Sequence, residues 1–249
     1  NGRKELEKVA ALGFEMYLGD SSYNLEELIA AGAPRERSRV LAPFHRVQEI
    51  VEAEADVALI DALTDGARNF LMVGRVAPNK GHLHLIEAFS AYVRAYAEPA
   101  RLILLGKVDP RLHAYTEAIR QRIDAHGLGE HVLWIDGASE AQLKAAYLAS
   151  HVFMLMSEHE GFCVPLVEAM ALGTPIVAHA SSAIPETLGD AGIAWQEQDP
   201  WLYAASAARL FTDDDLRSGL LERGRRRYRQ SFSNDVLRQR FVELLEPVL

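Results

Sequence analysis

From Asn69 onward the chain alternates between two hydrophobic rhythms, and this alternation restricts the fold more than any other feature. Short apolar runs fall at residues 70–73, 102–105, 132–135, 152–156, 176–178 and 193–195. Helical periodicity occupies much of the space between them, at 82–96, 115–126, 140–149 and 166–172. The runs are nearly continuous in Val, Ile, Leu, Phe and Met, as strands are when both faces are covered. Parallel strands need crossover connections, which the intervening helices supply. The expected fold class is therefore α/β, a doubly wound parallel sheet with helices on both faces.

The flanks follow other patterns. Residues 4–12 read as helix and 14–18 as a strand. Asp20 or Ser21 offers an N-cap for a helix over 25–31, which Gly32 and Pro34 stop; a strand at 39–41 ends at Pro43. That is roughly one β–α–β unit, too little to enclose a core alone. Residues 46–68, rich in Glu, Asp and Ala, read as a polar linker with some helix, and 200–249 as mostly helical. Asp213, Asp214 and Asp215 open one of these last helices and Arg225, Arg226 and Arg227 lie near its far end, the order the helix dipole prefers. The basic run 223–229 reads as a solvated helix end rather than a lipid-binding patch.

Composition removes several function classes. Hydrophobic residues make up 49% and charged residues 24%, so the chain is not a disordered tail. A formal charge of −9 argues against nucleic acid as a partner held by bulk charge. One cysteine, Cys163, rules out an internal disulfide framework and any multi-thiolate metal site, and suits a reducing compartment such as the cytoplasm. No apolar run approaches the ~20 residues that span a bilayer. The chain opens on Asn1 rather than Met, and reads as a piece of something longer.

Two segments carry chemistry. The first, Gly74-Arg75-Val76-Ala77-Pro78-Asn79-Lys80-Gly81, follows a strand and precedes a helix. In an open α/β sheet ligands bind beyond the carboxyl ends of the strands. There Gly74 and Gly81 would let backbone approach an anion while Arg75 and Lys80 neutralise it. A surface turn with two solvated charges explains the segment equally well. It is neither a P-loop nor a dinucleotide-binding glycine fingerprint.

The second runs from Ser157 to Met170 and includes Glu160-Gly161-Phe162-Cys163-Val164-Pro165 and Glu168. Pro165 suits the first helical position, and the free amides of 161–164 would face the crevice at the positive end of that helix. Glu160, just before the helix, is explained well enough as a dipole-compensating residue. Glu168 is not, because Val164, Leu166, Val167, Ala169 and Met170 surround it. A carboxylate beside an anion site makes sense as an acceptor for paired hydroxyls, such as a ribose diol or a sugar. His82 and His84 diverge on a helix start and read as packing or surface residues rather than metal ligands.

The order of these segments, with Gly173-Thr174-Pro175 and Ile184-Pro185-Glu186 after them, resembles the GT-B glycosyltransferases of family 4 from about Asn69 to the end. The Glu160/Glu168 pair with its glycine and proline spacing is the most specific part. The resemblance implies a Rossmann-like donor domain and transfer of a sugar from a nucleoside diphosphate sugar with retention of configuration, without a metal or other cofactor. Arg75 and Lys80 match the catalytic cations that hold the diphosphate. Glu160 matches the glutamate facing the donor sugar, with amides of Gly161, Phe162 and Cys163 nearby and Val164 and Pro165 where the helix approaches the diphosphate. Glu168 matches the ribose glutamate. Asp136 stands where the family has glycine, so Gly137 and Ala138 take the place of the base contact. The implied organisation is a remnant of the acceptor domain at 1–45, a linker at 46–69, the donor domain at 70–228 and a C-terminal helix at 229–249 that packs back toward the acceptor side. The expected partners are a nucleotide sugar and, through the acceptor domain, a glycan or lipid-linked saccharide for surface polysaccharide synthesis. A peripheral contact with the inner face of the membrane stays open for the full-length protein. The piece alone is expected to be inactive. The competing reading is a non-catalytic nucleotide-sugar-binding or regulatory module.

Overall fold

The computed structural model describes residues 2–246. A short helix, α1 (Gly2–Ala10), leads to β1 (Tyr17–Gly19), α2 (Ser22–Ala30) and β2 (Ser38–Val40). β1 and β2 pair in parallel, Tyr17 opposite Ser38, which makes the expected β–α–β unit. Of the two candidate caps it is Ser21 that closes α2, accepting from the Asn24 amide. The unit's own core is small: Ala10, Tyr17, Leu28 and Ala33, with Leu6 against them.

Residues 46–68 contain α3 (Val47–Glu52) and α4 (Val57–Leu63). α3 is half polar and α4 almost wholly apolar; Val47, Ile50 and Leu63 are buried, and Lys144 donates to the carbonyls of Val51 and Ala53 at 2.6 Å each. The segment is thus fastened to the sheet's helical layer. A charge-rich composition hid this, because one buried residue per turn suffices to dock a short helix.

The main unit then alternates as expected: β3 (Arg68–Val73), α5 (His82–Ala95), β4 (Ala100–Leu105), α6 (His113–Ala125), β5 (Val132–Ile135), α7 (Glu140–Ala149), β6 (Val152–Leu155), α8 (Val164–Leu172), β7 (Ile176–His179), α9 (Ile184–Leu188), β8 (Ile193–Trp195), α10 (Pro200–Thr212) and α11 (Asp214–Arg227). Among the described residues the sheet has six parallel strands in the order β5-β4-β3-β6-β7-β8. Alternate residues of each strand feed opposite cores. Phe70, Met72, Leu102 and Leu104 pack with Leu85, Phe89, Tyr92 and Ile119 on one face. Leu71, Val73, Ile103 and Leu105 pack with Leu166, Val167 and Met170 on the other. Double-sided burial is why the strands read as unbroken apolar runs.

After a π-helical segment at Tyr228–Phe232 comes α12 (Asn234–Leu245). The expected helix to 249 is described through Leu245, and 247–249 lie outside the described residues. Phe241 of this helix meets Phe44 edge-on at 5.8 Å, so the chain's end touches the segment that follows β2. The basic run is solvated in part: Arg225, Arg226 and Arg229 are exposed, as expected, while Arg223 and Arg227 are engaged. Arg227 donates through Nε to the Thr187 carbonyl at 2.8 Å and Arg223 to the Asp190 carbonyl at 2.8 Å. These guanidiniums satisfy carbonyls at and just beyond the C-terminus of α9, groups a helix end leaves unpaired.

Candidate functional site

β3 has neighbours on both sides, and the chain winds outward from it in opposite directions: through β4 to β5 one way, through β6 and β7 to β8 the other. A crevice must open where the two windings part, beyond the carboxyl ends of β3 and β6. Both segments singled out in the sequence lie there, since 74–81 follows β3 and 157–163 follows β6.

The β3–α5 loop is held close to its neighbours. Gly74 donates to the Leu105 carbonyl at 3.0 Å and Val76 to that of Lys107 at 3.1 Å. Gly81 sits at φ 66°, and a β-carbon there would lie 1.9 Å from the Met156 carbonyl oxygen. Only glycine fits both the left-handed backbone and that approach. Asn79 links the two loops, accepting from the Glu158 amide at 2.8 Å and donating to the His159 carbonyl at 3.2 Å.

The structure brings Lys80 and Glu160 together. Lys80 Nζ lies 2.7 Å from Oε1 and 2.9 Å from Oε2 of Glu160, with both side chains largely buried. Arg75 stands apart: it is exposed, has no ion pair among the described residues, and lines a cleft with Lys107, Asp109 and Arg111. The two expected cations therefore occupy different environments. His82, at the start of α5, is 1% exposed, and its Nδ1 has no hydrogen-bond partner among the described residues. Burial, together with the nearby Lys80 charge, pushes its pKa down to about 4. His84 pairs with exposed Glu158 at 3.4 Å.

The β6–α8 segment differs in backbone. Cys163, the N-cap of α8, has φ 75° and ψ 74°, and its side chain makes no capping bond. A non-glycine residue held there costs roughly 1–3 kcal/mol, which the surrounding packing must offset. Burial among apolar groups raises the thiol's pKa well above its usual value, so the site is not built around a thiolate. Val164, not Pro165, is the first helical residue, with Pro165 second. A missing N–H is harmless anywhere in the first turn, so proline is accommodated at the second position as readily as at the expected first. The Phe162 carbonyl accepts from Thr187 Oγ1 at 2.6 Å, and the Glu160 amide donates to Ser182 Oγ at 2.7 Å. The amides of Gly161, Phe162 and Cys163 make no hydrogen bond among the described residues. They and the start of α8 leave unpaired donors at the crevice, where the sequence placed an expected anion contact.

Glu168 lies just over one turn into α8 and is 7% exposed. Tyr147 donates to its Oε2 at 2.8 Å. Burial pushes the carboxyl's pKa up, and the Tyr147 hydrogen bond partly restores it. Gly137 and Ala138 follow β5, the edge strand, two positions away from β3. Gly137 is exposed with φ 70°, while Ala138 is partly buried. The Asp136 carboxylate accepts from the Val108 amide at 3.0 Å, so this turn is tied to the one after β4.

Several participants had no role assigned from the sequence. The N-terminal unit roofs the crevice. A β-carbon on Gly161 would lie 2.8 Å from Asn24 Oδ1, and Glu186 accepts from the Ser22 amide at 2.8 Å and its hydroxyl at 3.0 Å. Gly106, after β4, faces the Gly74 carbonyl so closely that a β-carbon would lie 1.8 Å away. Its position directly after a strand, like that of Gly74, was the available signal. Tyr147 and Ser182 gave none, since their partners are distant in sequence. Among the described residues no three His, Cys, Asp or Glu side chains converge as a metal site, and no helix is long and apolar enough to cross a membrane.

A six-stranded doubly wound sheet with a cation, two buried carboxylates and free helix-terminal amides at its switch point defines a Rossmann-like domain of the GT-B glycosyltransferase type. A profile of the glycosyl transferases group 1 matches residues 61–227, and the chain belongs to that family. D-inositol 3-phosphate glycosyltransferase of Corynebacterium efficiens is 30% identical over 188 residues, 68% of this chain and 43% of that protein. MMP α-(1→4)-mannosyltransferase of Mycolicibacterium hassiacum is 36% identical over 115 residues, 46% of this chain and 26% of that protein. The chain thus spans less than half the length of these relatives. Among solved structures, Anabaena HepE in complex with UDP and glucose superposes with a TM-score of 0.85 at 19% identity, covering 98% of this chain and 67% of that one.

Proposed function

We propose that this chain is the donor-binding part of a retaining hexosyltransferase of family 4, which moves a sugar from a nucleoside diphosphate sugar to a glycan or lipid-linked saccharide in surface polysaccharide or glycoconjugate synthesis. The Lys80–Glu160 pair across the switch point, with buried Glu168 beyond it on α8, carries this reading. Lys80 and Arg75 meet the diphosphate, the first from inside the crevice and the second from its rim. Glu160 faces the hydroxyls of the donor sugar, beside the unpaired amides of 161–163. Glu168 accepts from the ribose diol, and Gly137 and Ala138 flank the base.

In the transfer step the bond from the anomeric carbon to the diphosphate breaks with its electron pair on the phosphate oxygen, and the acceptor hydroxyl oxygen bonds to the same face of that carbon as its proton passes to the departing diphosphate. Negative charge accumulates on the departing diphosphate. Lys80, Arg75 and the α8 amides stabilise that charge where it develops, which lowers the barrier without a metal ion. The acceptor side requires the remainder of the N-terminal domain, so the chain by itself binds donor and does not turn over. A thermal-shift series with UDP-, GDP- and ADP-sugars tests the reading. Stabilisation by at least one sugar nucleotide is expected; stabilisation only by NAD or ATP would overturn it.

A further inference from the structure

Glu168 is an unusual ligand for a diol because it sits inside a helix, buried among apolar neighbours, with no cation against it. A carboxylate so placed has two demands: its charge needs a donor, and its plane must be fixed so that one oxygen stays free. The only hydrogen bond to it among the described residues comes from Tyr147, whose hydroxyl lies 2.8 Å from Oε2. Oε1 receives none.

Tyr147 is itself immobilised. Its side chain is 1% exposed, and its ring lies 5.8 Å from that of Phe153 on β6. Its carbonyl accepts from Thr174 Oγ1 at 2.9 Å, which anchors the end of α7 to the turn after α8. The hydroxyl is also 3.2 Å from the Pro165 carbonyl, and its one proton belongs with the nearer, charged acceptor. A phenol is well suited to this task. It supplies one donor, leaves the carboxylate's negative charge uncancelled, and offers no second donor to compete with an incoming hydroxyl. Burial holds the phenol's own pKa well above its ordinary value, so it remains a donor at any pH the fold tolerates.

We propose that Tyr147 is a positioning residue: it holds Oε2 of Glu168 so that Oε1 is presented to the ribose diol of the donor nucleotide. The inference rests on the donor-site reading above and adds to it a residue that does not touch the ligand. Simple packing of α7 on α8 is the competing role, and the two separate experimentally.

The test is calorimetric titration of the 249-residue chain and its Tyr147→Phe variant with UDP, GDP and their 2′,3′-dideoxy forms across the acidic range. Positioning predicts that Tyr147→Phe weakens the better-bound ribonucleotide about tenfold while leaving its dideoxy form unchanged. Loss of the hydrogen bond also raises the Glu168 pKa further, so the acid limb of binding moves to higher pH in the variant. Equal weakening of the ribo and dideoxy forms, or no weakening with an unmoved acid limb, would overturn the inference and leave the donor site standing. If the parent binds neither nucleotide, the donor-site reading falls first and this inference with it. Should Tyr147→Phe not fold, a ring-fluorinated tyrosine at 147 donates more strongly and must move the acid limb of the chain to lower pH; an unmoved limb is again fatal.

Discussion

The two walls of the crevice are built on different plans. The β3–α5 wall brings cations on a loop whose shape is set by glycine, pressed against β6 at Gly81. The β6–α8 wall brings carboxylates, and its sharp turn is made by Cys163, a residue with a side chain in glycine-like conformation. Glu160 and Glu168 on that second wall are equally buried, at 7%. Yet Glu160 is matched by the opposite wall's Lys80, and Glu168 by a neutral hydroxyl from α7. One carboxylate is therefore coupled to the geometry of the crevice and the other is independent of it. On the function proposed above, the chemistry that must change during transfer would sit on the coupled pair and recognition on the rigid carboxylate.

The largest expected effect comes from breaking the first wall. Gly81→Ala places a methyl against the Met156 carbonyl and forces a strained backbone, and should cost roughly 4 kcal/mol or more in urea denaturation. Next is Lys80→Ala in the full-length enzyme, with turnover down by about 10²–10³ as the leaving group loses its buried cation. A kcat within a few-fold of the parent's would remove Lys80 from that role.

His82 beside Lys80 extends the contrast to pH. Its folded pKa of about 4 lies below the ordinary 6.5, so the unfolded chain binds more protons between those values. Stability should thus be fully present above about 6.5 and decline as pH falls toward 4, by an amount on the order of 3 kcal/mol from this residue. Comparing denaturation midpoints of the parent and His82→Gln across that window checks it; the variant's profile should be flatter. The smallest effect is Glu168→Gln, which keeps one acceptor oxygen and should weaken nucleotide binding by about ten- to thirtyfold with little change in turnover at saturating donor. Unchanged affinity in calorimetry would sever Glu168 from the ribose.

Much of the sheet was readable because double-sided burial writes itself as uninterrupted apolar runs. β5, β8 and α7 have the expected bounds, and β3 and β4 begin two residues earlier than expected, at Arg68 and Ala100. Those two residues are joined to the sheet by backbone pairing, a force that leaves no hydrophobic mark. Glu168 was visible for the opposite reason, a carboxylate inside an apolar helix, whereas Lys80 and Glu160 stood out only through the order and spacing of the motifs that carry the family resemblance. What stayed hidden was set by tertiary pairing. Nothing in Tyr147's own neighbourhood separates a core tyrosine from one donating to a carboxylate on the next helix. The docking of α3 was likewise masked by its acidic residues, since Lys144, far along the chain, donates to the carbonyls at its end.

The unequal placement of the two cations also has a consequence for ionic strength. Added salt screens charges in contact with solvent and reaches enclosed ones poorly, with a Debye length of about 8 Å at physiological concentration. Arg75 is exposed on the rim, whereas Lys80 is 15% exposed and already faces Glu160. If the cations meet a diphosphate as proposed, a salt titration of nucleotide affinity would strip away the rim arginine's share first, leaving as its plateau the share of the lysine and the helix end.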